Sequence, residues 1–289
     1  AMAGQPSPKG ESLKMTAVLR HLAQRDLFDG SEVILIRHAE SIGEVFKQWT
    51  RISKVDPHFY LPIDLNTPSC LLKRRQPMES FSLDPPLSEH GKIAAQLLAR
   101  NLMRRGAYPM TIYSAPSLAC TETASILASY TRHRCSSLCQ VRSLATDSRG
   151  QKHWLTPANL REHGMPFEED SGSSWPEPEA GEDLSVTAER LQKIMHDIAT
   201  APQRKSIVIL VLDSVGMSVL NRFARRLPPL SADCSKATAT AFPPASTLVF
   251  RVLPEGSLQL VPRVLPPLTE TGRCSRPDLD DGVDYALIH

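Results

Sequence analysis

Short unbroken apolar runs alternate along this chain with longer segments in which apolar residues recur every three or four positions. Leu13, Val18, Leu19 and Leu22 predict a helix over 13–28, and the run Val33, Ile34, Leu35, Ile36 predicts a buried strand over 32–36. "SEHGKIAAQLLARNLMRRG" places Ile93, Leu97, Leu98 and Leu102 at helical intervals and closes on Gly106, so a helix burying those four is expected. "MTIYSAP" reads as a strand running into a turn, "SLACTETASILASYT" as a helix, "CQVRSL" as a short strand and "SVTAERLQKIMHDIAT" as an amphipathic helix. "SIVILVL" reads as a central strand, "SVGMSVLNRFARRL" as a helix, and "STLVFRVL" with "SLQLVP" as a hairpin turning on Pro254, Glu255 and Gly256. This alternation predicts an α/β fold of three layers, a mainly parallel central sheet with helices on both faces. Its ligand site is expected beyond the carboxyl ends of the strands.

Breaks in the pattern suggest the organisation. Residues 1–12 read as a flexible leader, 13–261 as the folded body, and 262–289 as a tail expected to be partly disordered. Within the body, 49–86 and 147–183 are rich in proline, serine and charge and read as insertions over the ligand edge. Trp49, Phe59, Tyr60 and Trp175 lie in them and are expected as exposed anchors for a protein partner. No internal repeat is visible.

Composition narrows the functional classes. A hydrophobic share of 41% over 289 residues supports a substantial core, and 33 basic against 31 acidic residues give no clustered excess that would recruit nucleic acid or an anionic membrane. The six cysteines form no CxxC pair, and no His/Asp cluster has metal-ligand spacing, so reduced thiols, no metal and no cofactor are expected. No apolar run is long enough to span a bilayer, and the expected location is intracellular, cytoplasmic or nuclear.

The first strand ends on Arg37 and His38, at the mouth of the expected ligand site. Taken alone, such a pair could equally be a surface ion pair. "LIRHAES" resembles the RHG signature of the histidine phosphatase (phosphoglycerate mutase-like) superfamily, "DPPLSEHGKIAAQLLA" its "PLTxxGxxQA" segment, and "IYSAPSLACTETASIL" its "SPSLRCxQTA" segment. The phosphatase domain of the ubiquitin-associated and SH3-domain-containing phosphatases is the branch it resembles most closely. The resemblance implies His38 as nucleophile toward phosphorus and Arg37 as a phosphate-binding arginine. In that chemistry, cationic donors hold the transferring oxygens and an acid protonates the leaving group.

Departures from the pattern bear on activity. Ala119 stands where the resemblance implies a second phosphate-binding arginine, and Asp213 where it implies a second histidine; Ala39 replaces the glycine of RHG. The leaving-group acid has only Asp147 as a candidate. Asp213 is expected to form an ion pair with Arg37 or His38 and so block the anion site. His153 and His163 are weighed as substitutes for the missing histidine and read instead as loop residues, and His90 as a surface residue.

The expected function is therefore a pseudophosphatase, a histidine-phosphatase-like domain kept as a protein-binding, scaffolding or regulatory module. One alternative is an active phosphomonoesterase or protein phosphatase with His38 as phosphohistidine nucleophile and substitute residues elsewhere. Another is a sensor that binds a phospho-ligand without turnover, against which Asp213 speaks. A protein partner is expected, and a homodimer is compatible with the resemblance.

Overall fold

The two longest apolar runs become the middle of a six-stranded sheet. The structure, a computed structural model, describes residues 28, 31–56, 58–74, 77–131, 137–168, 175–201, 206–231, 235–262, 264–268 and 277–279. The leader, almost all of the helix expected over 13–28, and most of the tail lie outside these residues.

In chain order the described elements are β1 (Glu32–Arg37), the short helices α1 (Ile42–Val45), α2 (Trp49–Ile52) and α3 (Pro77–Leu83), then α4 (Glu89–Arg104), β2 (Pro109–Ser114), α5 (Leu118–Thr131) and β3 (Ser137–Gln140). There follow α6 (Pro157–Glu162), α7 (Leu184–Thr200), β4 (Ile207–Leu212), α8 (Ser214–Ala224), α9 (Ser235–Ala241), β5 (Thr247–Val252) and β6 (Leu258–Leu260). The strand order is β3-β2-β4-β1-β5-β6. β1 pairs in parallel with β4, and β2 with both β4 and β3, whereas β5 and β6 are antiparallel. Residues of β1 and β4 are buried along their whole length, as strands covered on both faces require.

Connectivity places the ligand edge. The crossovers from β1 to β2 and from β2 to β3 run one way along the sheet, and right-handedness puts α4 and α5 on one face. The parallel crossover from β3 to β4 runs the other way, which puts α7 on the opposite face, and α8 packs beside α7. β1 and β4 are neighbours whose following helices leave to opposite faces, so the crevice at their carboxyl ends is the topological switch point.

The insertion at 49–86 is folded. Ile42, Trp49, Val55, Phe81 and Leu118 form a small second core, with Trp49 edge-on to Phe81 at 6.0 Å. Trp49 is thus a core residue at 1% exposure, and Tyr60 is half-buried with its hydroxyl donating to the Pro68 carbonyl. Trp175 lies edge-on to Tyr113 at 5.8 Å and donates its indole N–H to Asp197. Of the four aromatics expected outside, only Phe59 is exposed. The reason is local: proline- and charge-rich loops fold over their own few large side chains.

α4 also differs from expectation. Its inward face is Ala94, Ala95, Leu98, Ala99 and Leu102, and Ile93 and Leu97 are exposed. Its amino end is tightly docked. The Ser88 N–H donates to the Glu40 carbonyl (2.9 Å), the Ser88 hydroxyl accepts from Gly91 N–H (2.9 Å), and a Cβ on Gly91 would lie 2.1 Å from the Glu40 carbonyl oxygen. Glycine is needed there because backbone meets backbone. Among the described residues no helix is long and apolar enough to cross a membrane.

Candidate functional site

β1 and β4 deliver their next residues side by side. Arg37 is in register with Leu212, and the His38 N–H donates to the Leu212 carbonyl (2.9 Å), so His38 and Asp213 leave the sheet together. On the other side of β1, the Arg37 N–H donates to the Ser246 carbonyl (3.0 Å) and the Ala245 N–H to the His38 carbonyl (3.2 Å). α5 reaches in from below: Thr123 Oγ1 accepts from the Ala39 N–H (3.0 Å) and donates to the Ala119 carbonyl (2.8 Å). Arg37, His38 and Asp213 therefore lie together at the switch point, with Ala119 one turn before Thr123 on the helix that abuts it.

Two of these residues keep the character that phosphoryl chemistry needs. His38 Nδ1 lies 2.7 Å from the Ala39 carbonyl, and a carbonyl can only accept, so Nδ1 carries the proton and Nε2 holds the lone pair. That is the tautomer of a nucleophile. Arg37 is buried, with one terminal nitrogen donating to the Phe242 carbonyl (2.6 Å).

Its other terminal nitrogen is ion-paired with Glu44, whose second carboxylate oxygen accepts from the Ser41 N–H (3.0 Å) and hydroxyl (3.2 Å). Burial would raise the Glu44 pKa. The charges of His38 and Arg37 and the two Ser41 donors outweigh it and hold the carboxyl below its ordinary range, so Glu44 is an anion. Nothing at the sequence level singled out Glu44. Its signal was present in "SIGE", a Ser-x-x-Glu helix-start spacing three residues beyond Arg-His.

Asp213 does not meet Arg37 or His38 in an ion pair. One carboxylate oxygen caps α8 by accepting from the Gly216 N–H (2.8 Å), and the other accepts from the Thr146 hydroxyl. The residue at the end of β4 is thus spent on the helix it starts and on the loop opposite. With Arg37 at +1 and both Glu44 and Asp213 at −1, these three side chains sum formally to −1 before His38 is counted.

The loop bearing Thr146 is anchored by Arg190 of α7, which donates to the carbonyls of Ser143 and Ala145 (the latter 3.1 Å) and pairs with Glu182. Asp147, the candidate acid, follows Thr146 but is exposed and paired with Arg149 (2.7 Å). Burial pushes its pKa up. The Arg149 side chain, backbone N–H and charge push harder the other way, so Asp147 sits below the usual carboxylate range and holds no proton to give near neutrality.

Residues behind the crevice serve the scaffold. Asp84 of "DPPL" accepts from the Leu118 N–H (2.6 Å) and pairs with Arg74 (2.9 Å), both side chains being buried, which fixes the start of α5 and hence Ala119. Cys120 is fully buried and its thiol is pushed far up, mainly by burial, so it is inert. His153 bonds Ser80 (3.1 Å) and faces Glu79, and His163 ends α6; neither shows a bond to Arg37 or His38. His90 is exposed, 3.8 Å from Glu40. Among the described residues no cluster of His, Cys, Asp and Glu is arranged to hold a metal.

The sequence pattern of the histidine phosphatase superfamily (branch 1) matches residues 73–241, more than half of the chain. A stretch of 94 residues is 34% identical to the ubiquitin-associated and SH3 domain-containing protein A of Mus musculus, covering 32% of this chain and 15% of that protein. The Homo sapiens protein of that name is 32% identical over 97 residues, covering 33% of this chain and 14% of it. The matched stretches are thus a small part of these relatives. In fold, the chain is similar to the ecdysone phosphate phosphatase of Bombix mori, solved in complex with tungstate, with a TM-score of 0.68 over 84% of this chain and 96% of that one at 19% identity.

Proposed function

Because the chain belongs to the histidine phosphatase superfamily, we propose that it is a pseudophosphatase: a phosphatase scaffold without phosphatase turnover, retained as a protein-binding or regulatory module. The observation that carries this reading is the pairing of Arg37 with Glu44, which leaves the site's phosphate-binding arginine neutralised from within. Ala119 and Asp213 compound the effect. Loss of one preorganised donor to a developing oxyanion typically costs about a hundred- to a thousandfold in rate. Each anion close to an incoming phosphate adds repulsion that reaches about 4 kcal/mol per unit charge pair at 4 Å and an effective dielectric near 20.

A binding role is supported by the surface of the first insertion. Phe59, Leu61, Leu65, Met78 and Leu83 are exposed there, with Leu65 at 97%, and apolar side chains on polar loops suit a protein partner.

The second reading, an active phosphomonoesterase, is favoured by the His38 tautomer, since the proton on Nδ1 leaves Nε2 with the free lone pair a nucleophile requires. Steady-state hydrolysis of an aryl phosphate, compared between the wild type and His38→Ala, separates the two. We expect equal, background rates; turnover that His38→Ala abolishes would establish the enzyme.

A further inference from the structure

We propose that Glu44 is the resident anion of this crevice, an internal carboxylate that holds the Arg37 subsite closed to phosphate and other tetrahedral oxyanions. The inference rests on the pseudophosphatase reading and assigns its immediate cause to one residue that neither the superfamily resemblance nor the substituted positions indicate.

The geometry is that of a bound anion. Glu44 presents one oxygen to the Arg37 guanidinium and the other to the Ser41 N–H and hydroxyl, so a main-chain donor, a side-chain hydroxyl and a cation converge on a single carboxylate. An oxyanion ligand would use the same donor types. Burial is graded in the matching direction: the Arg37 side chain is 5% exposed and that of Glu44 33%, so the carboxylate covers the cation on its solvent side. The guanidinium is nevertheless not fully used. Its Nε is buried and makes no hydrogen bond among the described residues, an orphan donor that a carboxylate on the terminal nitrogen leaves unsatisfied and a larger oxyanion could reach. The His38 Nδ1 is engaged by the Ala39 carbonyl, which leaves Nε2 as the ring nitrogen that keeps a lone pair.

Asp213 cannot play this part. Its two oxygens are committed to the Gly216 N–H and the Thr146 hydroxyl, and removing it would uncap α8. Glutamine serves as well as glutamate in returning a helix-start side chain to the preceding N–H, so Glu44→Gln keeps the local fold while it removes the counter-ion of Arg37 and lowers the melting temperature.

The test is titration calorimetry of the full chain with inorganic orthovanadate and with inorganic phosphate, on the wild type, Glu44→Gln and the double variant Arg37→Ala/Glu44→Gln. Removing one like charge and releasing one guanidinium nitrogen should tighten vanadate binding by at least about tenfold in Glu44→Gln. The gain should vanish in the double variant, which places the anion on Arg37. A circular dichroism spectrum matching the wild type, with a melting transition above the titration temperature, shows that Glu44→Gln is folded in the experiment. Wild-type binding as tight as that of the folded Glu44→Gln variant, no gain in that variant, or a gain that survives loss of Arg37, would each overturn the proposal. Failure here differs from failure of the pseudophosphatase reading, which is read from wild-type turnover and not from binding by the variant.

Discussion

Glu122 is a glutamate in an α5 position where a neutral side chain would do better, and replacing it with glutamine should stabilise the protein in a pH-dependent way. Its carboxylate accepts the Leu87 N–H at 2.6 Å, tying α5 to the segment that starts α4. Burial pushes its pKa up to about 7 from an ordinary 4.5, with Asp84 adding to the rise and the Leu87 N–H and Lys92 opposing it. A carboxyl that titrates higher in the fold than in the unfolded chain favours folding least when ionised, so its penalty builds as pH rises from about 4.5 to about 7 and is complete above that. At 1.36 kcal/mol per pH unit, that interval of about 2.5 units corresponds to about 3 kcal/mol. Glu122 keeps some exposure, which makes about 1–2 kcal/mol the better expectation. Glutamine keeps an oxygen for Leu87 and carries no charge at any pH. Urea unfolding of the wild type and Glu122→Gln across pH 5 to pH 8 should give curves that nearly coincide at the acid end and separate toward pH 8, glutamine being the more stable. Curves that run parallel across this range, or a glutamine variant less stable at pH 8, would refute the argument.

Other substitutions address the scaffold and the surface. Gly91→Ala, which elsewhere in a helix would gain up to about 1 kcal/mol, should instead cost at least about 3 kcal/mol in chemical denaturation, because the added carbon meets the Glu40 carbonyl at 2.1 Å. Asp213→Ala should cost about 1–2 kcal/mol by uncapping α8 while Asp213→Asn costs less, a difference readable as a melting-temperature shift. Trp49→Ala should cost about 3–5 kcal/mol, whereas Phe59→Asp and Leu65→Asp should change stability by no more than about 0.5 kcal/mol, since Trp49 is core and the other two are exposed.

The sheet was legible because its signal is local. The β-branched apolar runs over 33–36 and 207–212 are too short for helices and read as strands covered on both faces, and the helices between them announce themselves by spacing. The face of α4 was misread because spacing marks large apolar residues, whereas close helix packing selects small ones: Ala94, Ala95 and Ala99 turn inward and Ile93 and Leu97 stay outside. At the switch point, His38 and Asp213 follow adjacent strand ends and Thr123 ties the start of α5 to Ala39, a placement that follows from the order of strands and helices. Pairing does not follow from that order. Asp213 was expected to pair with Arg37 or His38, but it follows the stronger local rule that an aspartate at a helix start caps its own first turn. Glu44, only seven residues from Arg37, takes the ion pair because the short helix after Ser41 brings it back over the strand end.

The central claim is that His38 no longer accepts a phosphoryl group, although its Nε2 is available. Trapping tests this without relying on turnover: the full chain is incubated with a radiolabelled phosphomonoester, quenched under alkaline conditions that preserve phosphohistidine, and mapped by peptide mass spectrometry. The account predicts no label at His38 above that found in the His38→Ala variant. Label at His38 approaching one phosphoryl group per chain would contradict it and make this crevice a working phosphatase site despite Glu44, Ala119 and Asp213.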